Sequence, residues 1–170
     1  MMDPFRLFSL VFSYPTEETI RELAHLRLDG ECAGTFCCNV LCTTPLEELQ
    51  AEYTRLFINA YPSALCPPYE SFYREGTVYG ATSGDVEQVY LDNGLDYVFE
   101  GEPPDFLSVE LDFLAVTHDE AFLGRLKEWV FRFTAKVREH SGIYGVCAVE
   151  LEMLLRDGST APNVTYRGEG

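Results

Sequence analysis

"TPLEELQAEYTRLF", residues 44–57, decides the fold class. Thr44 stands where a helix N-cap belongs, Pro45 at the first helical position and Glu47 three residues after the cap, the arrangement of a capping box. Leu46, Leu49, Tyr53, Leu56 and Phe57 then follow at i, i+3, i+7, i+10 and i+11, which places them on one helical face. The pattern predicts an amphipathic helix that ends before Pro62.

The same period runs through most of the chain. Asp3 and Pro4 predict a capped first helix with Phe5, Phe8 and Phe12 on one face, broken at Tyr14-Pro15. Thr16 followed by Glu17 and Glu18 starts a second helix that runs to about Leu28. Residues 29–43 are small, polar and Cys-rich and read as a loop or short irregular piece. Ser83 or Gly84 begins a short helix closed by Asn93-Gly94. "EGEPPD" breaks the chain before a helix over about 105–118. Asp119 starts a long helix in which Phe122, Leu126, Trp129, Val130, Phe133 and Val137 share a face, and a last helix covers about 143–156. Period-two alternation is absent, so the expectation is an all-α, single compact domain of about seven to nine helices over residues 1–157. Residues 158–170 read as a flexible tail.

Composition narrows the function. The 170 residues hold 12 Lys+Arg against 28 Asp+Glu, a formal charge of −16. A chain so acidic repels phosphate backbones and anionic lipid, and attracts basic partners. No apolar run approaches the roughly 18 residues that a spanning helix needs. The start, "MMDPFRLFSLVFSYP", lacks the basic region of a secretory signal. Cytoplasmic location is expected, with the six cysteines as thiols.

Cys32, Cys37, Cys38 and Cys42 raise a metal-binding alternative. Their C-x4-C-C-x3-C spacing is not that of paired C-x-x-C ligands, and adjacent cysteines are awkward ligands for one ion. His25, His118 and His140 are scattered without a catalytic motif, and neither phosphate-binding glycine loop is present. Binding rather than catalysis is therefore expected, with no cofactor of the protein's own.

Two stretches do not read as scaffold. In "CPPYESFYREG", residues 66–76, two prolines precede three rings, with Glu70 among them and Arg74 directly after. On the helix from Asp105, taking 100° per residue from Phe106, the apolar residues span an arc from about 280° through 0° to about 140°. Glu110 falls at about 40°, inside that arc, whereas Ser108 and Asp112 fall on the expected wet face. Glu110 is either a buried structural acid tied to another helix or a pocket acid for a cationic ligand. Asp105, read alone, is a first-turn acid. Glu70 either meets a basic ligand or locks its segment to a neighbouring helix.

"EYTRLFINAYPSALCPPYESFYREG" resembles the E-[YF]-x-x-L-F … P-P-Y-E-S-x-Y signature of the TorD/DmsD/NarJ family of molybdoenzyme maturation chaperones, and "PPDFLSVELDFLAVT" is similar to its second signature. "VYGATSGDVEQVYLDNGL" and "LKEWVFRF" resemble the family's intervening helix and its long helix with a central Trp. The resemblance covers most of residues 1–156 and implies an all-helical TorD-like fold. It also implies binding to the apo catalytic subunit of a molybdopterin-dependent oxidoreductase, or to its twin-arginine signal peptide. Such chaperones delay export until the molybdopterin guanine dinucleotide cofactor is inserted, and act as monomers or helix-exchanged dimers. By the same resemblance Pro68, Tyr69, Glu70, Ser71 and Tyr73 match the first signature. Pro104, Asp105, Leu107, Glu110, Leu111, Phe113 and Leu114 match the second. Phe106 stands where TorD- and DmsD-like members carry His and NarJ-like members often carry an aromatic residue. The partner site it implies comprises Pro68, Tyr69, Glu70, Ser71, Tyr73, Pro104, Asp105, Phe106 and Glu110.

Overall fold

The computed structural model describes residues 2–28, 35–59, 63–96 and 101–157. Among them are nine helices in the order α1 (Pro4–Val11), α2 (Glu17–Leu28), α3 (Thr35–Thr43), α4 (Leu46–Tyr53, continued by a π turn over Thr54–Ile58), α5 (Glu70–Glu75), α6 (Ala81–Asp92), α7 (Leu107–Thr117), α8 (Glu120–His140) and α9 (Ile143–Asp157). Strands are absent among these residues, and one antiparallel bridge joins Tyr69 to Phe106. The expected all-α fold is what the chain adopts. Residues 158–170, expected as a tail, lie outside the described residues.

Local chemistry explains most of the helix starts. The Asp3 carboxylate accepts from Phe5 N at 2.8 Å with Pro4 at the first position, and Thr16 Oγ1 accepts from Thr19 N at 3.2 Å. Asp119 Oδ1 accepts from Phe122 N at 2.9 Å at the head of α8. Asp119→Ala should cost about 1 kcal/mol, read as a lower urea midpoint with an unchanged slope.

Three expectations are corrected. Residues 35–43 are helical rather than loop, because Cys37, Cys38 and Leu41 enter the core and the Glu150 carboxylate caps α3 from another helix. That carboxylate accepts from Phe36 N at 3.1 Å and Cys37 N at 3.0 Å. The capping box at Thr44 does not form. Its hydroxyl donates to Val40 O at 2.7 Å at the end of α3, leaving Pro45 at the cap position of α4. Finally, α6 begins at Ala81, ahead of Ser83, where Glu75 Oε1 accepts from Thr82 N at 3.0 Å.

Packing follows from the apolar faces. α8 lies along α9, α1 on α7, α3 on both α2 and α9, and α5 against α6 and α8. Phe12, Tyr53, Phe57, Phe133 and Tyr144 meet at the centre with ring centroids between 4.7 and 6.4 Å. Phe8, Leu49, Leu56, Trp129 and Leu151 are fully enclosed around them. α7 is covered on more than its apolar arc. Ser108, expected on the wet face, is buried near Ser13 of the α1–α2 turn, while Asp112 stays accessible and pairs with Arg6 at 2.8 Å. No helix among the described residues is long and apolar enough to cross a membrane.

Candidate functional site

The two mixed segments meet. Glu70 N donates to Asp105 O at 3.1 Å and Leu107 N to Pro68 O at 2.9 Å, forming the bridge between Tyr69 and Phe106. The Tyr69 and Phe106 rings lie 5.5 Å apart. Pro68 has no N–H to donate and contributes only its carbonyl, which suits a strand-like contact one residue long on either side. Pro104 O accepts from Tyr90 OH at 2.7 Å, anchoring the second segment on α6.

Asp105 is wholly buried, and its carboxylate works on α5 rather than on its own helix. Oδ2 accepts from Ser71 N at 2.7 Å, and Oδ1 accepts from the Ser83 hydroxyl of α6. Tyr69, at the cap position of α5, offers no side-chain acceptor, so Asp105 caps that helix from outside.

Glu70 is the lock. Its Oε1 accepts from Arg74 Nε one turn later at 2.5 Å and from Arg125 Nε of α8 at 2.8 Å. Arg74 continues to Glu128 at 2.8 Å. Glu110 is buried as a structural acid, with Oε2 accepting from the Trp129 indole N–H at 3.3 Å. Burial first, then contact with the Glu70 carboxyl and the nearby Asp105 charge, hold Glu110 well above the usual carboxylate range. Trp129 also stacks on Tyr73 at 5.5 Å, and Arg132 Nη1 donates to Tyr73 O at 2.8 Å, near the end of α5.

Of the nine residues expected to form the partner site, all but Tyr69 are buried. They knit α5, α6, α7 and α8 together around one bridge. Tyr69 alone reaches the surface, where its hydroxyl donates to Glu102 Oε2 at 2.8 Å. Burial, reinforced by the Glu102 charge, pushes the Tyr69 phenol well above its ordinary value, so it remains a donor. Burial also raises Glu102, against the opposing hydrogen bond from Tyr69.

These two side chains line a groove of about 530 Å³ whose apolar wall includes Ile58, Pro67, Phe72 and Val78. Ile58 is 54% exposed at its edge. An open groove of mixed lining, with apolar side chains on one wall and a carboxylate beside them, can take an extended or helical segment that carries apolar side chains next to a cation. Sequence reasoning missed Glu102, which sits in the "EGEPPD" breaker with no local signal of its role. It also missed Arg125 and Arg132, although with Trp129 they stand at i, i+4 and i+7 and so face one side of α8.

The cysteine alternative gains no geometry. Cys32 lies outside the described residues, while Cys37 and Cys38 are core side chains on α3. Contact with Cys147, with burial adding, pushes the Cys37 thiol well above its ordinary value, unlike a metal-bound thiolate. Burial pushes the separate Cys66 thiol up to about 11. Among the described residues no group of three or more His, Cys, Asp or Glu is placed to hold a metal ion.

The sequence matches the nitrate reductase delta subunit family over residues 16–140. The chain belongs to that family. None of the curated proteins matches it. Among solved structures, one described as a redox enzyme maturation protein from Archaeoglobus fulgidus superimposes with a TM-score of 0.80. It shares 40% sequence identity, and the match covers 89% of this chain and 91% of that one. The membership places the bridge and groove in a family of NarJ/TorD type.

Proposed function

We propose that this protein is a cytoplasmic maturation chaperone that holds the cofactor-free catalytic subunit of a molybdenum-cofactor oxidoreductase, or its leader segment, while the cofactor is inserted. The observation that carries this reading is the open groove at the Tyr69–Glu102 pair, where apolar side chains and a carboxylate share the lining, on a chain with a formal charge of −16. Family membership and the likeness to a redox enzyme maturation protein support it. A twin-arginine leader joins an arginine pair to an apolar run, and both halves have a counterpart here. The acidic surface steers the cations, Glu102 pairs with one of them, and the wall of Ile58, Phe72 and Val78 takes the apolar run. In this reading the eight buried residues of the expected partner site position the groove, and of those nine only Tyr69 joins Glu102, Ile58, Phe72 and Val78 in touching the client. The role is binding, not catalysis.

The test is calorimetric titration with a synthetic peptide spanning the twin-arginine N-terminal leader of a molybdopterin oxidoreductase catalytic subunit. Tyr69→Ala and Glu102→Lys should each weaken binding by about ten-fold or more while far-UV circular dichroism stays unchanged. Wild-type affinity in both folded variants would remove the groove from the function.

A further inference from the structure

Glu70 and Glu110 are both wholly buried, on α5 and α7, with the Glu70 carboxyl close enough to help hold Glu110 above the usual carboxylate range. Glu70 Oε1 takes both guanidinium N–H donors, and Glu110 Oε2 takes the indole N–H. Each carboxyl keeps one oxygen, Glu70 Oε2 and Glu110 Oε1, with no N–H or hydroxyl to accept from. Two enclosed carboxylates in contact, each with an oxygen left over, repel one another and leave both oxygens unsatisfied. One proton removes both defects.

We propose that Glu70 and Glu110 share a single proton as a carboxylate and a carboxylic acid, and that this proton fastens α5 to α7. The asymmetry of partners sets where it resides. Glu70 is held by the cations Arg74 and Arg125, while Glu110 has only the neutral indole and is the acid. Among the described residues no Lys, Arg or His bonds to Glu110, and Arg132 of α8 is engaged with the Tyr73 carbonyl and ring. Asp105, before α7, contributes a further negative charge. Tyr73 of α5 stacks on the far side of Trp129, and the Glu128 carboxylate is occupied with Arg74. Arg6, the one charged side chain of α1, is paired with Asp112. The pair thus acts as a positioning device for α5, the helix that follows Tyr69.

The linkage has a definite sign. In the unfolded chain Glu110 ionises near the ordinary glutamate value, whereas in the folded chain it keeps its proton to higher pH. The folded state therefore binds more protons, and stability falls as pH rises from about 4.3 up to the raised folded value, then levels off. Glu110→Gln keeps an acceptor for Trp129 and supplies a permanent N–H to Glu70.

The experiment is thermal unfolding of the full-length wild type and Glu110→Gln across pH 5 to 9, beside infrared spectra of both in D2O at neutral pH. The melting temperature of the variant relative to wild type should rise with pH, the change reaching roughly 5 °C. Wild type should show a protonated-carboxyl C=O band that Glu110→Gln lacks. Parallel melting profiles, or wild-type protein with no such band, would overturn the shared proton. The infrared result on wild type decides the matter even if the variant does not fold. Neither readout involves a client, so this inference and the groove reading stand or fall separately.

Discussion

Replacing Trp129 with alanine is expected to lower the melting temperature by roughly 10 °C or more. The side chain is fully enclosed, and deleting a buried aromatic of that size costs about 3–5 kcal/mol through lost transfer energy and an unfilled cavity. Two further losses point the same way. Tyr73 loses its stacked partner, and Glu110 Oε2 loses the indole donor inside the core. Against a total stability of about 5–15 kcal/mol for a domain of this kind, that is a large share. Circular dichroism is the appropriate measurement, since Trp129 is the one tryptophan of the chain and its fluorescence disappears with it. Trp129→Phe, which keeps most of the volume but not the N–H, should lose markedly less. Equal losses in the two variants would mean that the indole N–H, not the packing, dominates.

The second large effect is expected at Asp105. Asp105→Ala strands two buried donors at once, Ser71 N and the Ser83 hydroxyl, each worth about 1–3 kcal/mol when left without an acceptor. The summed loss of about 2–6 kcal/mol should again appear as a melting temperature lowered by roughly 10 °C. Asp105→Asn keeps one carbonyl oxygen and should retain part of that stability. Because Asp105 caps α5 next to Tyr69, the alanine variant should also bind a leader peptide more weakly at temperatures where it is still folded. Wild-type stability in Asp105→Ala would mean that α5 does not depend on its external cap.

The reach of sequence reasoning can be judged at particular residues. Helix existence was legible wherever the signal was local, as with the Asp3 and Asp119 caps and the apolar face of α8. It failed where the stabilising group arrives from far along the chain. α3 is completed by Glu150, and no pattern within residues 29–43 announces that carboxylate. Thr44 misled for a related reason, since a cap is available to the next helix only if the preceding residues are not themselves helical. The angle of Glu110 within its apolar arc correctly marked an enclosed acid, while Ser108 was misplaced because arc arguments assume one covered face and α7 is covered on more. The site was half visible. Motifs drew attention to residues 68–73 and 104–110, yet motif matching cannot tell a residue that touches a partner from one that shapes the surface touched, and burial makes that distinction.

The π turn over Thr54–Ile58 bears on the groove in a way that burial alone does not express. Asn59 N reaches back five residues to Thr54 O at 2.8 Å, so one residue more than the α period accommodates is wound into that turn. The surplus shifts the phase at the end of the helix. Leu56 and Phe57 stay in the core, Ile58 is delivered to the rim, and Leu56 O is left to receive Cys66 N at 2.8 Å. The rim of the groove and the anchoring of the chain that leads into Pro67-Pro68 thus share one origin, a helix wound one residue out of step.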